Sequence, residues 1–231
     1  MGQDVSRYKH VSKGEVLEKA KTGDIILVSG GSFFSAIIKC FTLSEWSHIG
    51  VVIRDIPIKG KICKGPFILQ ALITNEGHKD YLEGFKKAPG VQLNSLSKVI
   101  DREKGKICWR KFMKWKKPSY IPLYKGNTTF VKKSCKLPYE LHLSELLNVI
   151  SQANEYAGTD SYFCSELVAE FYFVSEQVAI PGKNRKNHPF AKRDKNHFFS
   201  NNIKPSQFGE DTDDPFIFEN GYTLGECKFI V

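Results

Sequence analysis

The sequence predicts an α+β fold. Two observations predict it. Short β-branched and apolar runs concentrate in the first half of the chain, and apolar residues at helical spacing fall mostly in the second. No internal repeat or low-complexity tract competes with this reading.

Taken in order, Ser12-Lys13-Gly14-Glu15 has the S-x-x-E form of a capping box and predicts a short helix to about Lys21. Gly23-Asp24 turns the chain into Ile25–Val28, a short apolar strand. Residues 32–42 read as a helix, and Ser47–Arg54, rich in Ile and Val, as a strand. Gly65-Pro66 precedes a third strand, Phe67–Thr74, and further strands are expected at Val91–Leu93 and Lys106–Phe112. Leu143, Leu146, Leu147, Ile150, Ala153 and Ala157 recur at helical spacing and predict an amphipathic helix over 139–157. Gly158 to Ser161 breaks it. A second helix then carries Cys164, Leu167, Val168, Phe171 and Val178 on one face and runs to about Gln177. Short strands are expected at Pro215–Phe218 and Cys227–Val231.

A chain of 231 residues with 41% hydrophobic content buries one real core, or one domain with an elaboration. Whole-chain disorder is excluded, with 182–202 and 209–215 as the local exceptions. Six cysteines stand at 40, 63, 108, 135, 164 and 227, none in a C-x-x-C pair. That spacing fits neither a zinc site nor a disulfide framework, so the expectation is unpaired thiols in a reducing compartment, no metal and no cofactor. No apolar run is long enough to form a spanning helix. The net charge of +9 points to an acidic partner, either a phosphate-rich polymer or an anionic membrane surface.

The first residues, Met1-Gly2-Gln3-Asp4-Val5-Ser6, fit the M-G-x-x-x-[ST] pattern of N-myristoylation at Gly2. One acyl chain binds only marginally. Basic residues near an anionic leaflet add about 1 kcal/mol each, so the net charge would supply the second signal. Myristoylation implies a eukaryotic cell, or a virus or pathogen using one, and a place on the cytoplasmic face of a membrane. The expected organisation is therefore a myristoylation signal with a short helix over 1–21, then a domain over 22–231.

Cys164 falls in the first turn of its expected helix, with Thr159, Asp160 or Ser161 as caps. Helix dipole and first-turn N–H groups stabilise a thiolate there, and the same N–H groups suit an oxyanion. A small core residue on the apolar face fits the spacing as well. His48 opens a strand, from which it can face a helix N-terminus and act as base; a hydrogen-bonded, half-buried histidine fits too.

Gly23-Asp-Ile-Ile-Leu27, Trp46-Ser-His-Ile-Gly-Val-Val52, Tyr162-Phe-Cys-Ser-Glu-Leu-Val168 and Ile203-Lys-Pro-Ser-Gln-Phe208 together resemble the permuted papain-like amidohydrolases. The nearest group is the bacterial YiiX/YaeF-like proteins and related poxvirus proteins, with lecithin–retinol acyltransferase a more distant cousin. The resemblance spans roughly residues 22–207. It implies a circularly permuted papain-like (NlpC-like) fold: an antiparallel sheet packed on helices, the nucleophile at a helix N-terminus and the histidine ahead of the cysteine in the chain. It also implies a cysteine-dependent hydrolase or acyltransferase acting on an amide, ester or thioester, with Cys164 as nucleophile and His48 as base. The family's third polar residue, usually glutamate, falls at Gln70. A glutamine orients an imidazole through its carbonyl but supplies no full charge. Glu76 and His78 are fallback orienters, although a surface loop suits both. Tyr162 is a candidate pocket or oxyanion contributor, and a packing tyrosine is equally consistent.

Residues 104–117 interleave cations with aromatics around Trp109, Phe112 and Trp115. A core strand with a solvated basic face is the first reading, a lipid interface the second, base stacking the third. No named nucleic-acid motif is present. The expected partners are an acyl- or peptide-containing substrate and an anionic membrane. The alternative is a catalytically weak or inactive, membrane-anchored binding protein on the same fold.

Overall fold

The computed structural model describes residues 9–31, 44–58, 60–72, 80–82, 90–123, 125–135, 137, 163–175, 203–210, 212, 215, 216, 218 and 220–231. These form an α+β structure built on a seven-stranded sheet of order β1-β10-β6-β2-β3-β4-β5. The strands are β1 (Lys9–Val11), β2 (Ile25–Ser29), β3 (His48–Ile58), β4 (Lys61–Leu72), β5 (Gly90–Ser95), β6 (Lys106–Arg110) and β10 (Lys228–Ile230). Every pairing is antiparallel except β1 with β10. A smaller sheet, β8-β7-β9, joins β7 (Phe112–Lys114), β8 (Lys117–Pro118) and β9 (Tyr222–Leu224).

The apolar run of β2 explains its central place. Ile25 and Leu27 enter one core, Ile26 and Val28 the other, so the strand is buried on both faces. On one side lie helices α1 (Lys13–Lys19) and α2 (Leu96–Arg102), contributing Val16, Leu96 and Val99. On the other lies α4 (Cys164–Val174), which packs on β3 and β4 through Leu167, Val168 and Phe171. A further helix, α3 (Lys125–Ser134), packs against α4. Ser12 caps α1 as expected, its hydroxyl accepting from Glu15 N at 3.2 Å.

Gly23-Asp24 is a structural junction. Gly23 sits at φ +101°, with Ile121 side-chain atoms 3.0 Å from where a Cβ would stand. The Asp24 carboxylate accepts from Trp109 Nε1 at 2.9 Å, Phe112 N at 2.8 Å and Lys21 N at 3.0 Å. Burial raises its pKa to about 6, against the lowering effect of those hydrogen bonds. The Tyr172 hydroxyl donates to Gly23 O at 2.6 Å and so ties α4 to the turn before β2.

Several expectations are corrected. Helices α2 and α3 were not anticipated. α2 has only Leu96 and Val99 as buried apolar positions, too few to reveal a period. α3 contains Gly126, Thr128 and Thr129, which are weak helix formers. The run 106–112 is two strands, because the chain leaves the large sheet at Lys111 and starts the small one. Pro215–Phe218 is not a strand among the described residues. Phe216 stacks on Phe208 instead, and the pairing with β7 falls to Tyr222–Leu224. Cys108 and Cys227 are not free thiols but a disulfide, with Cα atoms 5.7 Å apart. Their separation of 119 residues hid the pairing, which arises because β10 lies directly beside β6. The helices expected at 32–42 and 139–157 lie outside the described residues.

Candidate active site

His48 is the first residue of β3 and is half-buried at the end of the sheet. Val51 pairs with Leu69 and Val52 with Ile68, so Gln70 lies opposite Gly50, two residues along from His48. Such diagonal neighbours on an antiparallel pair are within side-chain reach. Gly50 is where this approach is tight. A Cβ there would stand 2.6 Å from Ile68 Cγ1 and Cδ1, so only glycine lets Ile68 fold over the strand.

The His48 Nε2 atom lies 2.9 Å from Gln70 Oε1. An amide oxygen only accepts, so Nε2 carries the proton and Nδ1 is left with its lone pair. Cys164 also acts on the ring and raises its pKa. Burial alone would push the imidazole pKa down. The hydrogen bond and charge of Cys164, the bond to Gln70 and the field of Glu103 outweigh it, so the group titrates above its ordinary value.

Cys164 is the first residue of α4, a free thiol, 4% exposed. The N-cap position of its helix is Phe163, where the sequence suggests Thr159, Asp160 or Ser161. Glu166 supplies the cap from inside the helix, its carboxylate accepting from Phe163 N at 2.9 Å. The next residue, Ser165, donates its hydroxyl to Ile203 O, which holds the start of α4 to the segment leading into Pro205–Phe208. Cys164 and Ser165 therefore present first-turn N–H groups that a helix leaves without intrahelical acceptors.

Behind Gln70 runs a chain of buried amides that the sequence did not disclose. Gln70 Nε2 donates to Asn94 Oδ1 at 2.9 Å, and Asn94 Nδ2 donates to Gln92 Oε1 at 3.2 Å. Gln70, Asn94 and Gln92 are at most 1% exposed. Each bond fixes the orientation of the amide before it, so Asn94 is what keeps Gln70 Oε1, rather than its NH2 group, aimed at His48. The alternation Val91-Gln92-Leu93-Asn94 is visible in the sequence, but it reads as a strand with one wet face. The covering helix α2 makes that face dry.

Tyr162, Gly2, Glu76 and His78 lie outside the described residues. Among the described residues no three His, Cys, Asp or Glu side chains gather as a metal-binding group, and no helix is long and apolar enough to cross a membrane. The described geometry thus joins His48 on β3 to Gln70 on β4 by a hydrogen bond, with Cys164 at the start of α4, the helix that packs on both strands.

No protein-family model matches the chain, and no curated protein matches it. Among solved structures, it is similar to the metalloprotein YiiX from Escherichia coli O157:H7 (DUF1105), at 20% sequence identity and a TM-score of 0.42, over 74% of this chain and 76% of that one.

Proposed function

We propose that this protein is a thiol hydrolase or acyltransferase with Cys164 as nucleophile, His48 as general base and acid, and Gln70 as the residue that orients His48. The observation that carries the reading is the 2.9 Å contact of His48 Nε2 with Gln70 Oε1, which leaves the other ring nitrogen as the base for Cys164, a group whose influence raises the imidazole pKa. The third polar residue selects the tautomer, and the tautomer leaves the basic nitrogen to the thiol.

The chemistry follows from those groups. His48 Nδ1 takes the thiol proton, and the thiolate attacks the carbonyl carbon of an amide, ester or thioester. The resulting oxyanion is held by N–H groups at the start of α4. The imidazolium returns its proton to the leaving amine, alcohol or thiol as the carbonyl re-forms. Water, or an acceptor nucleophile, then gives a proton to His48, attacks the acyl-enzyme and expels Cys164. No metal or organic cofactor takes part in this scheme. The permuted papain-like arrangement belongs to the same reading, since the base precedes the nucleophile in the chain. So does attachment to the cytoplasmic face of a membrane through acylation of Gly2, which would bring the site to lipid-linked acyl groups.

The pH dependence of Cys164 alkylation by iodoacetamide, in wild type and His48→Ala, tests the proposal. A thiol reactive well below the unperturbed pKa of about 8.5, with the profile moving up without His48, is expected. An identical profile in both proteins would sink the enzymatic reading. The neutral Gln70 favours one alternative, a binding module on the same scaffold. Retention of every cellular function by Cys164→Ser would select it.

A further inference from the structure

The end of the sheet at which β6 passes into β7 carries a surface that the proposed chemistry does not use. Trp115 and Lys116 form the tip of the β7–β8 hairpin, both at positive φ (50° and 63°), the backbone of a tight two-residue turn. Glycine or asparagine usually fills such positions, so this chain tolerates strain to place a tryptophan and a lysine there. The Trp115 indole is 70% exposed yet held in place. Its ring lies over Gly221, where a Cβ would come within 2.5 Å of it, and its backbone N–H donates to Gly221 O at 2.8 Å. Tyr120, 57% exposed, stands nearby with Lys21 over its ring at 5.9 Å.

Charge on this surface is one-sided. At this end of the sheet stand Lys111, Lys114, Lys116 and Lys117, with no acid between them in the chain. Lys116 and Lys117 are fully presented at the tip. Beside the hairpin lies a cleft of about 380 Å³ lined by Lys19, Lys21, Arg54 and Lys111 against Glu18 and Asp24. Within it the Asp24 carboxylate accepts from Trp109 Nε1, Phe112 N and Lys21 N, Arg54 donates to Leu17 O and Ala20 O, and Lys19 pairs with Glu15.

We propose that this surface docks on anionic phospholipid membranes, with the Trp115 and Tyr120 rings at the headgroup–acyl boundary and the lysines on headgroup phosphates. A rigidly held indole ringed by lysines, with aliphatic stems to snorkel, is the chemistry of a lipid interface. β1 supports the same orientation. Lys9 is in register with Lys228, which pairs with Trp109, so β1 begins at this end of the sheet. The docking surface stands without the acyl group on Gly2 that belongs to the function proposed above.

The molecule contains its own reporter. Of its three tryptophans, Trp46 and Trp109 are buried and Trp115 is exposed. Full-length protein made without N-myristoyltransferase is titrated with vesicles of pure phosphatidylcholine or of equimolar phosphatidylcholine and phosphatidylserine. Co-sedimentation and a blue shift of tryptophan emission are expected with the serine lipid. Trp115→Ala abolishes the shift, and Lys116→Glu with Lys117→Glu weakens binding at least roughly 30-fold, the product of two lysine–membrane contributions. An absent shift in wild type, unaltered sedimentation of both variants, or tighter binding to a single-stranded oligonucleotide than to either vesicle would overturn the proposal. Myristoylated protein that sediments without a Trp115 shift would overturn this surface while leaving acyl attachment standing; sedimentation of neither form would remove both.

Discussion

Replacing Gln70 with glutamate puts a full negative charge where a neutral amide oxygen now stands 2.9 Å from His48 Nε2. A hydrogen bond between neutral partners contributes about 0.5–1.5 kcal/mol net, and one to a charged group about 1.5–3 kcal/mol. The difference of about 1–1.5 kcal/mol favours imidazolium and is worth about one pKa unit. The scaffold can receive the carboxylate. Asn94, which now accepts from Gln70 Nε2, can turn its amide to donate instead. Gln92 Nε2, buried and without a partner among the described residues, can then donate to the Asn94 oxygen. The assay is a proton NMR titration of the His48 ring, assigned by comparison with His48→Gln, alongside the alkylation profile of Cys164. Gln70→Glu should move the His48 titration up by about one unit and extend the range of the imidazolium–thiolate pair to higher pH. Gln70→Leu should move it down, because burial then acts with less opposition. A folded Gln70→Glu protein whose His48 titration is unchanged or lower would refute the claim that Gln70 orients and tunes the base.

The remaining predictions concern the surroundings of the same site. Asn94→Leu leaves Gln70 Nε2 buried without its acceptor, at a cost of about 1–3 kcal/mol in chemical denaturation; it should also slow Cys164 alkylation through the lost hold on Gln70. Gly50→Ala forces Ile68 aside and should cost about 1–3 kcal/mol; combined with Ile68→Ala, the loss should be smaller than the sum of the single losses. The folded pKa of His48 lies above its unfolded value of 6.5, so its contribution to stability is whole below 6.5 and lost as pH rises through the folded pKa; His48→Gln should remove that slope from a series of urea midpoints. Glu170, on α4, has its pKa raised by burial from 4.5 to about 7, so the fold favours its neutral form and loses stability as pH rises through that range. Glu170→Gln should therefore gain about 1–3 kcal/mol over wild type near pH ~8 and almost nothing near pH ~4, read from the same midpoints.

Elements with strong local signals are legible in the residues. The Ser12 cap, the apolar run of β2, the Ile- and Val-rich run of β3 and a helix with Cys164 in its first turn are all present, because each is specified by neighbours within a few positions. The position of Gln70 on the strand after His48 likewise has its counterpart in the hydrogen bond between them. The rest depends on contact between distant segments, which no local pattern encodes. The disulfide of Cys108 with Cys227 depends on β10 lying beside β6. The dryness of Gln92 and Asn94 depends on the helix that covers their face, so a strand with one apparently wet face became the second half of a buried amide chain. Trp109 and Trp115 come from the same basic run, yet one donates to Asp24 at the centre of the protein and the other stands in solvent. Composition gives both the same character, and only the departure of the chain from the large sheet at Lys111 separates them.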